Sequence, residues 1–386
     1  MKNKDQITKT LRELIELLDI PPSYYDKAVA RYKSMADHFH RPQSAIRHLD
    51  PLVHPQGSFR LGTVTRPIFP DEGYDLDLVC RVLANKENLT QKDLKELIGE
   101  EVISYSKAQG FKQPPKEKRR CWTQQYQDDV NFHMDVLPGI PAGERYRQLL
   151  LEARVDKRQV DEAINITDKE ESNYAQISPD WPRSNPRGFA LWFEERMDVG
   201  GHATSSRKIL LESKSYGSTD KIPAYALKTP LQRVVQLLKR HRDQMFKDDP
   251  DGKPISIILT TLAARAYQGE ADIAEAIAGV LSRMGDFVSA SKPRIPNPVD
   301  PTEDFTDRWD ATKENNFWNW LRQAREAFAY LGRATTEAEL IEACKNDFRL
   351  TLSSDAARKV LGSAVGAPSI VGVTKVSDSA PSSWAP

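Results

Sequence analysis

Hydrophobic and polar residues alternate one by one in a short stretch near the middle of the first half of the chain. Within residues 74–82, Leu76 and Leu78 alternate with Asp75 and Asp77. This period of two predicts a strand whose successive side chains point to opposite faces, so the two acids share one face. Adjacent carboxylates on a half-buried strand repel each other, and a cation or a donor group is needed to neutralise them. The pattern therefore suggests a divalent metal ion as the partner.

A second stretch with the same alternation, residues 130–137, adds a third acid. Its apolar positions are Val130, Phe132, Met134 and Val136, and its polar positions are Asn131, His133 and Asp135. If this strand lies beside the first, Asp135 converges with Asp75 and Asp77. Hard oxygen ligands in that number suit Mg²⁺, which keeps open positions for phosphate oxygens. Two such ions can activate an attacking hydroxyl group and stabilise a leaving pyrophosphate.

A Gly-Ser turn precedes the acids. Gly57 lets backbone N–H groups approach triphosphate oxygens closely, and the hydroxyl group of Ser58 adds a donor. The spacing from Gly57 to Gly62 and Thr63 resembles a P-loop, but the lysine that such a loop needs is missing. A lone Gly-Ser turn is a weak signal, and an isolated pair of acids is commonly a solvated face. The turn, the paired acids and the third acid together favour nucleotide chemistry.

Helical periodicity dominates the two ends of the chain. Apolar positions in residues 5–19 predict an amphipathic helix, and Ser23 is predicted to cap a second one, which is expected to pack along the core as a brace. Thr229, Pro230 and Gln232 form a capping-box pattern that opens a helix in the second half. The cations of that helix are expected mostly to face solvent; they are Arg233, Lys239, Arg240 and Arg242.

These patterns divide the 386 residues into three parts. We expect a core with an N-terminal helical brace over residues 1–215 and a helical domain that closes the cleft over residues 222–350. Residues 351–386 are rich in Ser, Pro and Ala and are expected to form a flexible tail. The stretch at 200–228, with its Gly and Ser residues, is the expected connection between the two folded parts.

The charge balance limits the partners that the chain is expected to bind. Lys and Arg together number 55, as do Asp and Glu, so the formal net charge is +0. A long nucleic-acid footprint normally needs a basic surface, which this balance does not predict. The three cysteines lack the C-x-x-C spacing of a zinc site, and no apolar run is long enough to span a membrane. A cytoplasmic protein without a membrane partner is expected.

Longer strings around these residues resemble one known family. They are QGSF, GT, RP, YDLDLVC and FHMDVLP, followed by WPRSNPRGFALWF at 181–193 and NPVDPTEDFTDRW at 297–309. In this order they resemble the bacterial cyclic-oligonucleotide synthases related to cyclic GMP-AMP synthase, the DncV-like CD-NTases of the polymerase-β-type nucleotidyltransferase superfamily. The resemblance covers residues 52–348. It implies an α+β fold in which a polymerase-β-like nucleotidyltransferase core with a mixed sheet is joined to a C-terminal helical domain.

The same resemblance implies how the site works. Two Mg²⁺ ions, for which Mn²⁺ can substitute, would be held by the catalytic carboxylates, while other residues hold the triphosphate of the substrate. The catalytic and metal-binding residues would be Asp75, Asp77 and Asp135, and the substrate-binding residues would be Gln56, Gly57, Ser58, Lys239 and Ser256.

The implied activity is the synthesis of a cyclic di- or trinucleotide second messenger from nucleoside triphosphates such as ATP and GTP. The product would activate a separate effector in antiphage (CBASS-type) signalling, and a ubiquitin-transfer-like partner is implied for the C-terminal tail. Two alternatives stay open. A template-independent RNA-end nucleotidyltransferase would need a basic track for the RNA, and a catalytically silent nucleotide-binding scaffold would have no use for three converging carboxylates.

Overall fold

A mixed seven-stranded sheet holds the acid-bearing strands. The computed structural model describes residues 2–69, 72–126, 131–200 and 228–362. Within these ranges, a second sheet of two strands lies in the second half of the chain. The strands are β1 (Leu52–Pro55), β2 (Tyr74–Arg81), β3 (Lys116–Glu117), β4 (Trp122–Tyr126), β5 (Phe132–Pro141), β6 (Ile164–Ile166), β7 (Arg183–Ser184), β8 (Pro296–Asn297) and β9 (Asp300–Asp304).

The acid-bearing strands β2 and β5 are neighbours at the centre of the large sheet. Its order is β1-β2-β5-β4-β3, with β6 paired to β5 and β7 paired to β6. Strands β2 and β5 run parallel, whereas β1 pairs antiparallel with β2 and β4 pairs antiparallel with β5. The parallel pair needs a long crossover, which includes the helix at Gln91–Ala108. The predicted α+β fold with a mixed sheet is confirmed.

Helices account for most of the remaining described residues. Two short 3₁₀ turns, Arg47–Leu49 and Met284–Phe287, accompany them. The helices are α1 (Lys2–Leu18), α2 (Pro22–His40), α3 (Gly57–Leu61), α4 (Gln91–Ala108), α5 (Glu144–Glu152), α6 (Lys157–Val160), α7 (Pro186–Met197), α8 (Pro230–Met245), α9 (Ser256–Ala266), α10 (Ile273–Arg283), α11 (Ala311–Leu331), α12 (Glu337–Phe348) and α13 (Ser354–Leu361).

Capping side chains set the starts of several helices. Thr229 accepts from the backbone N–H of Gln232, whose side chain accepts from the N–H of Thr229, and this confirms the predicted capping box of α8. The predicted cap of α2 is wrong. That helix begins at Pro22, its N-cap position is Pro21, and Ser23 already lies inside the first turn. A proline at the first helical position fits because its missing N–H would have no helical partner there.

Two hydrophobic clusters organise the molecule. The first packs α2 and α4 against the sheet and contains Phe39, Val102 and Leu76. The second is larger and is built from helices of the second half together with α5 and α7, with Leu237 and Phe317 among its buried members. The cleft between sheet and helical layer is lined on one side by each of these clusters.

The two N-terminal helices belong to different clusters, and the second of them, α2, packs along the sheet as the predicted brace. Leu11, Leu14 and Leu18 of α1 are fully buried in the helical cluster. The side-chain amide of Gln6 also donates to the carbonyl oxygen of Leu331 at 2.9 Å. Only α2 therefore packs on the sheet, while α1 pairs with helices that follow it by more than two hundred residues.

The chain continues in ordered structure beyond the predicted start of the tail. Helix α13 covers Ser354–Leu361, and its Ala357 and Val360 are buried in the helical cluster, so the boundary at residue 351 was placed too early. The helix has the spacing of one apolar face, which its low aromatic content obscures in the sequence. The tail beyond it and the connection at 201–227 lie outside the described residues, so the tail partner stays a prediction. None of the described helices is both long and apolar enough to cross a membrane.

Candidate active site

The three acids lie side by side on two parallel strands. The register of β2 and β5 places Asp77 opposite Asp135 and Asp75 opposite His133. Between the two acids of β2, Leu76 points the other way and is buried in the core. The alternation in the sequence therefore places all three acids on the same face, at neighbouring register positions.

The loop that precedes the acids is bonded directly to the acid strand. The backbone N–H of Gln56 donates to the carbonyl oxygen of Asp77 at 2.8 Å. Gly57 and Ser58, predicted to form a turn ahead of the acids, begin the short helix α3. Gly57 has a left-handed φ of +63°, and a methyl group there would overlap Oδ2 of Asp77. Glycine is thus required twice, once for the backbone angle and once for the close approach to the carboxylate.

The third acid is held from the side of β4. Thr123 is its register partner, and the Thr123 hydroxyl donates to Oδ1 of Asp135 at 2.5 Å. The ammonium group of Lys118 lies 3.3 Å from Oδ2 of the same carboxylate. Across residues 2–69, 72–126, 131–200 and 228–362, no group of three or more His, Cys, Asp and Glu side chains is arranged to hold a metal ion. The three acids therefore share a face, but their carboxylate groups do not form a closed set of ligands.

The electrostatics of the acids show an excess of negative charge. Burial raises the pKa of Asp77 to about 7, with added effects from the charges of Asp75 and Asp135. Burial also raises the pKa of Asp75, and the charge of Asp135 acts in the same direction. Lys239 and Lys118 lower both pKa values without cancelling the increase. Three hard carboxylate donors with an unbalanced charge fit a divalent ion better than they fit an empty core.

A cavity of about 790 Å³ lies in front of the acids of β2. Its volume falls within the range of small-molecule sites. Gln56 and Asp135 do not line it, but both adjoin Asp77, one through a backbone hydrogen bond and the other through strand pairing. The predicted site residues that line the cavity are Gly57, Ser58, Asp75, Asp77, Lys239 and Ser256.

Lys239 reaches the cavity from the opposite side, on helix α8. Its ammonium group donates to the carbonyl oxygen of Thr63 at 3.1 Å. The side chain is buried, and burial lowers the pKa of Lys239 to about 8. The charges of Asp77 and Asp75 raise this pKa, but they do not offset the burial. Lys239 is thus a largely desolvated cation that faces the acids.

Sequence reasoning missed Arg242. The prediction that the cations of α8 mostly face solvent is wrong, because Arg240 and Arg242 are buried along with Lys239. A guanidinium N–H of Arg242 donates to the hydroxyl oxygen of Ser256 at 3.1 Å, and the residue lines the cavity. The three-residue spacing between Lys239 and Arg242 places them on one helical face, which is the signal that could have identified the pair.

Comparison with known proteins identifies the family. A family model described as the nucleotidyltransferase domain of DncV-like cyclic GMP-AMP synthases matches residues 51–138. A c-di-GMP synthase of Roseivirga ehrenbergii is 30% identical over 310 residues, which cover 79% of this chain and 74% of that protein. The chain belongs to the DncV-like nucleotidyltransferases. A second relative, the cyclic dinucleotide synthase CdnG of Bradyrhizobium diazoefficiens, is 24% identical over 79% of this chain and 70% of that protein.

Solved structures of DncV-like nucleotidyltransferases share the fold. CdnG of Bradyrhizobium diazoefficiens in complex with GTP matches with a TM-score of 0.64 at 20% identity, over 92% of this chain and 98% of that one. A Vibrio cholerae DncV mutant in complex with ATP and GTP matches with a TM-score of 0.59 at 14% identity, over 91% and 97%. Both likenesses extend through the helical layer, so the family fold covers nearly the whole described chain.

Family membership confirms the predicted enzyme class. The matched segment runs from β1 through Asp135 and therefore contains the Gly57–Ser58 loop and the three acids. The chain is a nucleotidyltransferase of the DncV-like family, a family that uses divalent metal ions. The prediction of a cyclic-nucleotide synthase is confirmed at the level of the family, two members of which carry that name.

Proposed function

We propose that this chain is a metal-dependent cyclic dinucleotide synthase and that GTP is its first substrate. The observation that carries the proposal is the placement of Asp75, Asp77 and Asp135 on one face, across a cavity from the buried cation Lys239. The relative that is named c-di-GMP synthase and the CdnG structure with GTP support guanosine as the nucleoside. Cyclic di-GMP is accordingly the product that should be sought first.

The acids would hold the divalent ions that the reaction needs. Asp75 and Asp77 would bind both ions, and Asp135 would join them at the ion nearer the acceptor hydroxyl group. We propose Mg²⁺, with Mn²⁺ as a substitute. When bound, such ions lower the pKa of the attacking hydroxyl group and neutralise charge on the leaving pyrophosphate. The raised pKa of Asp77 is consistent with this role, because a bound cation would relieve the repulsion among the carboxylates.

The remaining residues would bind and orient the triphosphate. The N–H groups at the start of α3, at Gly57 and Ser58, lie beside Asp77 and would donate to phosphate oxygens. From the opposite side, Lys239 would contribute a positive charge, and Ser256 a hydroxyl group whose position Arg242 fixes. Desolvated donors are stronger than exposed ones, so this arrangement would hold the α-phosphorus in line with the acceptor.

Two successive transfers would make the product. A ribose hydroxyl oxygen of one nucleotide would form a bond to the α-phosphorus of the other, the bond from that phosphorus to the pyrophosphate oxygen would break, and the hydroxyl proton would pass to solvent water. The linear intermediate would then turn within the cavity, and the same step would close the ring and release a second pyrophosphate. The substrate-free volume of about 790 Å³ leaves room for a nucleotide in front of the acids.

The test is a product assay with the full chain. The protein is incubated with labelled GTP, ATP or both in the presence of Mg²⁺ or Mn²⁺, treated with phosphatase, and analysed by mass spectrometry. A phosphatase-resistant product with the mass of cyclic di-GMP, absent from the Asp77→Asn protein, is the expected result. Elongation of added RNA would instead indicate the RNA-end enzyme, and no turnover with any triphosphate would indicate a silent scaffold.

We further propose that the product acts on a separate effector in cytoplasmic antiphage signalling, as the family resemblance implies. The effector is not addressed by contact with this chain but through the diffusing nucleotide. Expression of the active chain and of the Asp77→Asn variant in phage-challenged cells, with neighbouring genes supplied, tests this role. Equal protection by both proteins would contradict it.

A further inference from the structure

The turn between β3 and β4 is fixed to the body of the protein by a buried lysine. We name residues 118–121, Lys-Arg-Arg-Cys, the basic turn. Lys95 of α4 is completely buried, and its ammonium group donates to the carbonyl oxygens of Lys118 at 2.5 Å and Arg119 at 2.6 Å. A buried cation with few alternative partners holds these carbonyl groups firmly.

A buried carboxylate anchors the basic turn from a second direction. Asp168 is completely buried and accepts from Nε of Arg119 and from Nε of Arg120, at 2.7 Å each. The charges of these two arginines are therefore paired with a buried carboxylate. The backbone of the turn is closed as well, because the N–H of Lys118 donates to the carbonyl oxygen of Cys121 at 2.9 Å.

Lys118 alone among the three cations of the basic turn faces the acids. Its ammonium group lies 3.3 Å and 3.4 Å from the two carboxylate oxygens of Asp135, while half of its side chain stays exposed. Its charge also acts on Asp75 and Asp77. The fixed turn therefore places one half-exposed cation, Lys118, beside the third acid of the site.

We propose that Lys118 is a positioning residue that pairs with Asp135 and competes with the divalent ion for that carboxylate. An ammonium group within ion-pair distance of both oxygens competes with a metal ion for the same carboxylate and repels the ion directly. Binding of the ion to Asp135 therefore requires the Lys118 side chain to move away. The inference rests on the proposed function, because it takes Asp135 as a metal ligand.

The anchored turn stabilises the ion pair between Lys118 and Asp135. Exposed ion pairs usually contribute little because two long side chains must be ordered to form them. Here the backbone of Lys118 is already fixed by Lys95, and Asp135 is held by Thr123, so less freedom remains to be lost.

The test measures metal binding without nucleotide. Mn²⁺ is titrated into the full chain and followed by electron paramagnetic resonance for the wild type, Lys118→Met, Lys118→Arg and Asp135→Asn. Lys118→Met is expected to lower the Kd for Mn²⁺ by roughly two- to five-fold, the range that an exposed ion pair of up to about 1 kcal/mol allows. Lys118→Arg should keep the wild-type Kd, and Asp135→Asn should weaken binding. Lys116→Met is the matched control, since Lys116 is an exposed lysine of the same hairpin.

Each outcome decides between the inference and its rivals. An unchanged Kd in Lys118→Met, with a raised KM for the triphosphate, would show that Lys118 contacts only substrate and would overturn the inference while leaving the proposed function intact. An equal shift in Lys116→Met would reduce the effect to general surface charge, which also overturns it. If Asp135→Asn binds Mn²⁺ as the wild type does, the proposed metal site itself is wrong. Thermal melting of each variant verifies that the fold is retained.

Discussion

The two walls of the cavity handle charge in opposite ways. On the sheet side, burial raises the pKa values of Asp75 and Asp77; the charge of Asp135 adds to both increases, and the charge of Asp75 adds to that of Asp77. On the helical side, Lys239 and Arg242 are buried, and burial lowers the pKa of Lys239. All four side chains line the same cavity. Within the described residues, however, Lys239 forms no ion pair with Asp75 or Asp77.

The separation of the charges is the informative feature. Opposite charges that only stabilised the fold would meet in a salt bridge, where each would offset the burial of the other. Here the cavity separates the two sets of charges, so the carboxylates of one wall are not paired with the cations of the other. In the proposed function a nucleoside triphosphate with its divalent ions would satisfy both walls at once, because the ions would bind the carboxylates and the phosphate oxygens would contact the lysine.

The largest expected effect comes from removing one charge of the sheet wall. Asp77→Asn should lower the rate of nucleotide transfer by on the order of 10³-fold, since loss of a metal ligand removes several kcal/mol of transition-state stabilisation. Product formation from labelled GTP measures it. The same variant should be more stable than the wild type above pH 7 by roughly 5 °C in Tm, because it no longer buries an unbalanced anion.

The sign of that stability difference follows from the pKa. The pKa of Asp77 is raised to about 7 in the folded state from 3.8, so the folded protein retains the proton over this range while the unfolded chain releases it. The advantage of Asp77→Asn should therefore be largest above pH 7 and shrink as the pH falls from about 7 towards 3.8. Addition of Mn²⁺ should raise the Tm of the wild type but not that of the variant. An equal increase in both would contradict the metal site.

The next largest effect probes the contact between α3 and the acid strand. Gly57→Ala introduces a methyl group that overlaps Oδ2 of Asp77, in addition to the strain of a left-handed φ. We expect a loss of about 1–3 kcal/mol in the free energy of unfolding and a drop in activity of at least about 10-fold. Gly110→Ala is the matched control, because Gly110 has a φ of +70° and no atom within 4 Å of the added group. Equal losses in the two variants would assign the whole effect to backbone strain.

A smaller effect is expected from the helical wall. Lys239→Met removes the buried cation but keeps a side chain of similar length, and it should raise the KM for GTP by about 10-fold because one charge-assisted contact is lost. Steady-state kinetics measure this change. The control is Arg233→Met on the same helix, since Arg233 pairs with Asp19 and does not line the cavity. That variant should lose stability with an unchanged KM, and a raised KM there would weaken the assignment of Lys239.

The smallest expected effect is a pH dependence of substrate binding. The pKa of Lys239 is lowered to about 8, so the side chain is charged below pH 8 and neutral above it. The KM for GTP should accordingly rise by a few-fold as the pH increases from about 7 to 9. Lys239→Arg should remove this rise, because a guanidinium group stays protonated over the whole range. A rise that persists in Lys239→Arg would show that another group controls it.

The sheet wall could be predicted from sequence, whereas the helical wall could not. Alternation at period two fixes which side chains of one strand share a face, so Asp75 and Asp77 were assigned to one face, and Asp135 joined them on the condition that the two strands are neighbours. For α8 the period shows only which positions could be buried. Lys239 and Arg242 lie on the same helix as Leu237 and Leu238, and whether they face solvent or a cavity depends on what packs over them. For Lys239 that partner is the loop at 61–66, which is distant in sequence, and for Arg242 it is the segment at 254–256.

The misplaced boundaries have a similar cause. A single apolar face made of Ala357 and Val360 gives a weak helical signal, and only the long-range contact of α13 with the helical cluster makes it stable. The N-terminal helix α1 was recognised as a helix, but its position in the fold was not, since local periodicity contains no information about the partner of an apolar face.

The position of α1 also sets the order in which the helical cluster can be assembled. Its apolar face is covered by α8, α10, α11 and α13, and its Gln6 side chain is bonded to carbonyl groups 325 and 328 residues further along the chain. Contacts of such long range form late, because the intervening chain must be made and brought together first. When β2 and β5 have been translated, all three acids are present, yet most of the helices that cover the apolar face of α1 have still to be made. The helical cluster can therefore be completed only after the second half of the chain has been translated.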